Sequence, residues 1–258
     1  MTTHPGKPID VRDVMTERLL RDAGIGPGMR VVDVGSGRGD VTLMIARLVG
    51  VDGGVLGVDR ESGGLSVARE RAEALGLSNV SFVEGDFTAL GSEHGTFDAA
   101  VGRRVLMYQR DPVDAVQKLA TVVRPGGLVI FQEQDTTMVP ASVVPLPLHA
   151  RVHAWIWRAV ELEGANLHMG FDLAPVFEKA GLTVEEVRAE AVVQRPNARG
   201  MLSTIVRVML PRIVHAGVAT EAEIDVDTLE QRLFDEMAKD NATYIGDMVF
   251  GAWGRKPA

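Results

Sequence analysis

Through the first half of the chain, short apolar segments rich in Val, Ile and Leu alternate with segments whose apolar residues lie three to four positions apart. Short apolar runs bounded by Gly or Asp are typical of buried strands, and the three-to-four spacing is typical of amphipathic helices. Strands that alternate with helices in this way form a parallel sheet with helices on both faces. The sequence therefore predicts an α/β fold with a doubly wound core.

The pattern also places the individual elements. The predicted strands are residues 30–34, 54–58, 80–84, 97–101, 128–132, 183–193 and 244–253. The predicted helices are residues 11–23, 40–49, 64–75, 112–123, 148–162, 171–180, 199–216 and 227–239. The alternation breaks after Asp135, where Pro140, Pro145 and Pro147 precede a helical segment. We interpret this break as an insertion over the edge of the sheet.

Composition excludes several classes of function. The net charge is -8 and Lys and Arg form no run, so the sequence lacks the basic footprint of a protein that binds nucleic acid or an anionic membrane. The chain has no Cys, which rules out disulfides, thiolate nucleophiles and Cys metal sites. The first ten residues, MTTHPGKPID, do not resemble a signal peptide, and no apolar run reaches the roughly 18 residues of a membrane span. We expect a cytoplasmic protein.

A glycine turn follows the first strand, in the stretch VVDVGSGRGD at residues 31–40. A dinucleotide-binding turn has the order G-x-G-x-x-G, in which the third glycine allows the helix to pack behind a pyrophosphate. Here Asp40 stands in the place of that glycine, and its carboxylate would lie where the pyrophosphate binds. The turn therefore disfavours a nicotinamide dinucleotide.

In this stretch a strand with an acidic residue is followed by G-x-G-x-G. This order resembles the cofactor loop of class I S-adenosylmethionine-dependent methyltransferases. Other features occur in the order of that family: Asp59 at the end of the second strand, the stretch EGDF at 84–87, the stretch FDAAVGRRVLMYQRDP at 97–112, and the turn RPGGL at 124–128. The resemblance covers approximately residues 10–135.

The resemblance implies a Rossmann-like sheet of seven strands in the order 3-2-1-4-5-7-6, with helical insertions around the sixth strand. Residues 1–258 would form one methyltransferase domain. About residues 10–135 would be its cofactor-binding core, and about 136–180 and 199–240 would be a helical cap with substrate elements.

S-adenosylmethionine is the cofactor that the resemblance implies. The family uses the counterpart of Asp59 for the ribose hydroxyls and that of Asp86 for the adenine amino group. Asp33, Asp59 and Asp86 also have plainer interpretations, as a loop cap and as turn residues. The predicted cofactor-binding residues are Asp33, Gly35, Ser36, Gly37, Gly39, Asp59, Arg60, Gly85, Asp86, Phe87, Gly102 and Arg103. For Asp33, the amides of the glycine loop are the expected hydrogen-bond donors.

Four residues are candidates for removing a proton from the methyl acceptor. Glu133 and Asp135 share one face of the fifth strand because side chains alternate along a strand, although a solvated strand end is an equally good interpretation. His168 lies in a glycine-flanked connection, where functional residues are common. His153 is the fourth candidate.

His149 and His153 are four apart on a predicted helix and face the same way. They lack a third ligand, so we predict no metal site, and a half-buried structural pair is the alternative to substrate contact. The predicted substrate-contacting residues are Tyr108, His149, Trp155 and Trp157.

The predicted function is methyl transfer to an O, N or C nucleophile of a small, fairly apolar molecule, in specialised-metabolite or quinone-type biosynthesis. The alternatives are a regulatory or partner-activating protein that binds S-adenosylmethionine without methyl transfer, and a nicotinamide-dependent oxidoreductase. The apolar helical block at 201–237 is interpreted either as a lid or packing layer, or as the contact of a homodimer. We expect neither nucleic acid nor a membrane as a partner.

Overall fold

The structure is a computed structural model and describes residues 11–138, 140–196 and 201–258. Its strands are β1 Arg30–Val34, β2 Gly54–Asp59, β3 Val80–Glu84, β4 Phe97–Arg103, β5 Val123–Asp135, β6 Thr183–Gln194 and β7 Tyr244–Arg255. Its helices are α1 Val11–Asp22, α2 Asp40–Val49, α3 Ser62–Ala74, α4 Pro112–Thr121, α5 Pro147–Leu162, α6 Met169–Lys179, α7 Met201–His215, α8 Glu221–Ile224 and α9 Val226–Ala238. The stretch MTTHPGKPID and residues 199 and 200 of a predicted helix lie outside the described residues.

The strands of the described residues form one seven-stranded sheet in the order β3-β2-β1-β4-β5-β7-β6. β1 is central to its first half and pairs in parallel with β2 and β4, so that Val32 lies opposite both Leu56 and Ala100. β2 pairs in parallel with β3, and β4 with β5. The predicted α/β class and strand order are confirmed.

β5 begins at Val123 rather than at residue 128, because Val123 pairs with Phe97 at the start of β4. The register shifts between Phe97 and Ala99, and the glycine turn of RPGG lies at that irregularity. The helix predicted to reach residue 123 consequently ends at Thr121. The helix predicted at 227–239 is α9, and the four-residue helix α8 before it was not predicted.

The chain divides into two compact units. The first comprises the residues up to Glu133, Gly170–Arg188 and Phe250–Ala258, and the second comprises Gln134–Met169 and Ala189–Val249. The core of the first unit contains β1, β2, β4 and β5 side chains packed with α1 and α2, among them Leu19, Val31 and Ile45. The division into a cofactor-binding core and a helical cap with substrate elements stays a prediction.

In the second unit, α7 packs on both α5 and α9. A small apolar cluster joins Leu146, Met237, Ala242 and Tyr244 there. None of the helices in the described ranges has the length and apolar composition to cross a membrane.

Candidate functional site

The glycine loop after β1 has a backbone that other residues rarely adopt. Gly35, Gly37 and Gly39 have φ angles of 64°, 50° and 80°, in the left-handed region. A Cβ on Gly35 would lie 2.5 Å from Cγ2 of Val105, and one on Gly39 would lie 3.0 Å from Cβ of Ala68. The loop is thus confined between the segment after β4 and helix α3.

Gly64 in α3 contributes to this close packing and was missed in the sequence. A Cβ on Gly64 would lie 3.0 Å from the carbonyl oxygen of Gly37, so α3 approaches the loop backbone directly. The Gly63-Gly64 pair within the first turn of a helix was the available signal, because glycine is unfavourable there without a packing reason.

Asp33, near the end of β1, is buried. Its Oδ2 accepts a 2.5 Å hydrogen bond from the hydroxyl of Thr42, in the first turn of α2. Burial raises the pKa of Asp33 to about 7, with the Thr42 hydrogen bond acting in the opposite direction. The expectation that glycine-loop amides would be its donors is corrected by this contact, because α2 brings the Thr42 hydroxyl over the end of the strand.

Asp59, at the end of β2, joins two predicted cofactor-binding segments. Its Oδ2 accepts from the amide of Gly37 at 2.7 Å, and its Oδ1 accepts from the amide of Glu61 at 2.9 Å. A carboxylate has about four acceptor positions, so Asp59 retains capacity for further donors such as ribose hydroxyls.

Arg60 directly follows β2, and Asp86 lies two residues after the end of β3. The two side chains form an ion pair of 2.7 Å. Asp86 also accepts from the amide and hydroxyl of Thr88. Partial burial raises the pKa of Asp86, but the Thr88 and Arg60 hydrogen bonds outweigh it and the net shift is downward. Phe87 is buried, whereas a Cβ on Gly85 would meet open space.

The contacts of Gly102 and Arg103, at the end of β4, explain why a glycine and an arginine occupy these positions. A Cβ on Gly102 would clash with the ring of Phe131, so the packing of β5 requires a glycine. The Arg103 guanidinium is mostly buried and donates to Asp13 at 2.7 Å and Thr16 at 3.2 Å, both on α1. A cofactor contact by either residue stays a prediction.

These residues fit S-adenosylmethionine. The Ser36 hydroxyl is buried in the glycine loop and has no hydrogen-bond partner within the described ranges. A Cβ on Gly37 or Gly85 would meet open space. Asp59 ends β2, and Asp86 lies two residues after the end of the adjacent strand β3. The site therefore offers glycine backbone without side chains, the Ser36 hydroxyl and two carboxylates. The amino-acid tail and the ribose of this cofactor require hydrogen-bond donors and acceptors of these kinds.

Glu133, on β5, is fully buried. Its Oε1 accepts from the amides of Val105 at 2.9 Å and Leu106 at 2.8 Å, just after β4. Burial raises the pKa of Glu133 to about 7, against the effect of these amides. Asp135, at the end of β5, is buried as well, so the alternative of a solvated strand end is wrong for both carboxylates.

In the second unit the structure brings two predicted residues together, Asp135 and His168. Oδ1 of Asp135 accepts from the amide of Thr137 at 2.7 Å, and the Thr137 hydroxyl lies 2.9 Å from Nδ1 of His168. That nitrogen is also 3.9 Å from Oδ2 of Asp135, a buried atom without a hydrogen-bond partner in the described part of the chain. The His168 side chain is 62% exposed, so an acceptor molecule can reach it.

His149, on α5, is fully buried rather than half-buried. Its Nδ1 lies 2.8 Å from Glu236 on α9, whose carboxylate also accepts from the amides of Leu148 and His149. Burial lowers the pKa of His149, although Glu236 opposes that shift. Glu236 was missed in the sequence, because it lies on a helix far along the chain.

His153, one turn further along α5, is also fully buried, and burial lowers its pKa to about 4. Neither of its ring nitrogens has a hydrogen-bond partner among the described residues, and Asp247 lies 4.0 Å away. The rings of His149 and His153 stand 4.8 Å and 5.5 Å from the ring of Tyr244. We call His149, His153 and Tyr244 the α5 cluster.

The remaining predicted residues are Tyr108, at the end of the 3-10 turn that follows β4, and Trp155 and Trp157. Tyr108, in the first unit, is 45% exposed. Trp155 and Trp157 are half-buried on α5, and no described residue accepts a hydrogen bond from Nε1 of Trp157. No group of three or more His, Asp or Glu side chains that could hold a metal ion occurs in the ranges that the structure describes.

A cavity of about 320 Å³ lies within the second unit. Apolar and polar side chains share its wall. The apolar ones are Pro196, Met201, Leu202, Leu233, Phe234 and Met237, and the polar or charged ones are His149, Gln194, Arg195, Ser203, Asp227, Glu230 and Gln231.

Comparisons with known proteins agree with this fold and site. The model of a methyltransferase domain family matches residues 25–181, more than half of the chain. The demethylmenaquinone methyltransferase of Bacillus cereus is 31% identical over 183 residues, which cover 67% of this chain and 77% of that protein.

Two solved structures share the fold. A candidate methyltransferase of Bacillus halodurans has a TM-score of 0.63 at 18% identity, over 94% of this chain and 99% of that one. The [4+2]-cyclase SpnF has a TM-score of 0.57 at 20% identity, over 95% of this chain and 82% of that one. At these identities the likeness shows the fold alone, which hosts more than one reaction.

The family match supports S-adenosylmethionine as the cofactor, and not the nicotinamide dinucleotide that the glycine turn already disfavours. It also agrees with the strand order, the three left-handed glycines and the carboxylate at the end of β2. The chain belongs to the S-adenosylmethionine-dependent methyltransferases and is an enzyme that methylates a small molecule.

Proposed function

We propose that this enzyme methylates an O, N or C atom of a small, fairly apolar acceptor of quinone type. The Bacillus relatives are named demethylmenaquinone methyltransferases, and they support a quinone-type acceptor. The observation that carries the proposal is the cavity of the second unit. Its volume of about 320 Å³ suits a small molecule, and its wall includes the apolar side chains of Leu202, Phe234 and Met237 beside polar and charged ones.

Residues of the first unit hold the cofactor. S-adenosylmethionine supplies an electrophilic methyl group on a positively charged sulfur. Asp59 would accept from the ribose hydroxyls, and the backbone of Gly35 and Gly37 would hold the amino-acid tail. Asp86 and Phe87 would hold the adenine. By fixing donor and acceptor in one geometry, such contacts supply about 7 kcal/mol or more of the barrier reduction.

The apolar part of the acceptor occupies the cavity of the second unit. His149 is one of the polar groups of its wall, beside charged residues such as Arg195 and Glu230. Because burial lowers the pKa of His149, its ring is neutral at pH 7 and adds no charge to the wall.

His168 is the candidate general base for an acceptor hydroxyl or amine. It is exposed to an incoming molecule, and the Thr137 hydroxyl fixes its Nδ1 beside Asp135. A nearby carboxylate stabilises the imidazolium that forms when the ring takes a proton. His168 is connected to a buried, partly unpaired carboxylate, which distinguishes it from an ordinary surface histidine.

The test is an assay of the purified enzyme with S-adenosylmethionine and a panel of hydroquinones, phenols and amines, in which S-adenosylhomocysteine and methylated product are measured. We expect product with a hydroquinone or phenol. His168→Asn should lower kcat about 100-fold, the typical contribution of a general base, with little change in KM. His215→Asn, an exposed histidine at the end of α7, is the matched control.

Met237→Trp tests the cavity separately, because a larger side chain fills the space that the acceptor would occupy. We expect KM for the acceptor to rise at least about tenfold while the affinity for S-adenosylhomocysteine stays the same. Turnover with charged, polar acceptors only, or a Met237→Trp enzyme with unchanged KM, would exclude an apolar acceptor in this cavity.

The homodimer also stays a proposal. Val208 on α7 is 75% exposed and lies in the apolar helical block at 201–237, one interpretation of which is the contact of a homodimer. Light scattering of the wild type and of Val208→Glu tests it, with a dimer mass expected for the wild type alone.

A further inference from the structure

The segment that follows β4 has backbone amides that the sheet leaves unpaired. The last ladder partners of β4 and β5 are Arg103 and Gln132, and the amide of Arg104 still donates to the carbonyl of Gln132. After that point the chain turns away from β5 into the short 3-10 turn Leu106–Tyr108. The amides of Val105 and Leu106 are buried there and need another acceptor.

Glu133 supplies that acceptor from within β5. One oxygen of its carboxylate accepts from both amides, at 2.9 Å and 2.8 Å. The side chain is fully buried, and no apolar residue at this position could satisfy the two amides. The carboxylate therefore fixes the position of Val105.

Val105 in turn lies against the glycine loop. Its Cγ2 lies 2.5 Å from the position that a Cβ of Gly35 would take, which is too close for any side chain there. On the other side, Asp59 holds the same loop through the amide of Gly37. The loop backbone is thus fixed from β4 by a side-chain contact and from β2 by a hydrogen bond.

We propose that Glu133 is a positioning residue for the cofactor: it holds Val105 against Gly35 and so keeps the glycine loop in the shape that binds S-adenosylmethionine. Glu133 acts through Val105 and is not the general base. The inference rests on the cofactor of the family and does not depend on the acceptor or on His168.

Calorimetry with S-adenosylhomocysteine, together with amide hydrogen exchange of the unliganded full chain, tests this role. Glu133→Leu removes the acceptor, so the amides of Val105 and Leu106 should exchange faster and the Kd should rise about tenfold or more. Glu133→Gln retains an amide oxygen at the same place. It should restore both the slow exchange and a Kd within about threefold of the wild type, because one oxygen suffices for both bonds.

Asp98→Leu is the matched control. Asp98 also accepts from a backbone amide, that of Arg30 at 2.8 Å, but at the opposite end of β1 and β4. This variant should lose stability while the Kd for S-adenosylhomocysteine stays unchanged. Asp59→Ala shows independently that the glycine loop binds the ligand.

Val105→Ala covers the case in which Glu133→Leu does not fold. It keeps the Glu133 carboxylate and both amide bonds but removes the side chain that touches Gly35, so the Kd should again rise. In a turnover assay these variants should raise KM for S-adenosylmethionine and leave kcat at saturation unchanged, whereas loss of a base lowers kcat. Wild-type affinity in Val105→Ala, or in a folded Glu133→Leu protein, would overturn the proposal, even where Asp59→Ala abolishes binding.

Discussion

The glycine-loop end of the first unit and the α5 cluster of the second both bury titratable side chains, but with different partners. In the first, Asp33 accepts from Thr42, and Glu133 accepts from two backbone amides. In the second, His153 and the Tyr244 hydroxyl have no hydrogen-bond partner among the described residues. Buried polar groups with partners stabilise one conformation, whereas those without partners cost stability. The bonded carboxylates therefore contribute to the rigidity of the first region, although its Ser36 hydroxyl has no partner in the described chain, whereas His153 and Tyr244 carry a desolvation cost in the second.

The largest effect should come from filling the space at Gly35. Gly35→Ala places a methyl group 2.5 Å from Val105 and forces alanine into a φ of 64°. Left-handed backbone costs about 1–2 kcal/mol and overpacking about 1–3 kcal/mol, so we expect the free energy of unfolding to fall by about 4 kcal/mol. Urea denaturation measures it.

Gly37→Ala and Gly246→Ala separate the cost of left-handed backbone from the cost of overpacking. Gly37 has a φ of 50° but open space, so its variant should lose only about 1–2 kcal/mol. At Gly246, in the second unit, a Cβ would lie 2.7 Å from Nε2 of His153 and 3.2 Å from Nε2 of Gln194, so two side chains and no backbone would have to shift. A loss at Gly246 as large as that at Gly35 would show that the α5 cluster is as rigid as the glycine loop.

The order and placement of the strands could be predicted from sequence because each strand is a short apolar run between turns. β1 and β3 have the predicted bounds. The glycine loop could also be predicted from the sequence, because left-handed turns require glycine and the following helix starts at Asp40.

The partners of the buried side chains could not be predicted, because they depend on register and helix packing. Glu133 meets Val105 only because β5 continues where β4 ends, and Glu236 reaches His149 across 87 positions of the chain. The two-residue period correctly placed Glu133 and Asp135 on one face but did not indicate that both are buried. The roles of these residues in catalysis stay predictions.

The dependence of stability on pH should have opposite signs in the two regions. Burial lowers the pKa of His153 from 6.5 to about 4, so the unfolded chain takes a proton first and stability falls as the pH drops from about 6.5 to 4. The expected loss is about 3 kcal/mol. Burial raises the pKa of Asp33 from 3.8 to about 7, so its contribution is most favourable below pH 4 and is lost as the pH rises to about 7.

Denaturation of His153→Phe and Asp33→Asn between pH 4 and 8 tests these signs. His153→Phe should reduce the loss on the acid side, and Asp33→Asn should reduce the loss on the alkaline side. A His153→Phe protein with the wild-type pH profile would mean that His153 is protonated in the folded state.

Removing the donor of Asp33 should have a smaller effect. Thr42→Val keeps the volume but deletes the 2.5 Å hydrogen bond, which leaves the buried carboxylate with fewer donors. We expect the free energy of unfolding to fall by about 2 kcal/mol. Thr121→Val is the control, because the exposed Thr121 hydroxyl donates only to the carbonyl of Lys118, and it should cost less than about 0.5 kcal/mol. Equal losses would show that the partner of Asp33 adds nothing to the rigidity of the first region.

The smallest effect, with the opposite sign, should come from Tyr244→Phe. The Tyr244 ring packs against both histidines of the α5 cluster, and that packing survives the change. The hydroxyl is buried without a partner in the described chain, so its removal relieves a desolvation cost and should raise the free energy of unfolding by about 1 kcal/mol. Tyr108→Phe, at the chain's other tyrosine, which is 45% exposed, should leave stability unchanged. If Tyr244→Phe instead loses stability, the hydroxyl has a partner in solution, and the desolvation cost of the α5 cluster is confined to His153.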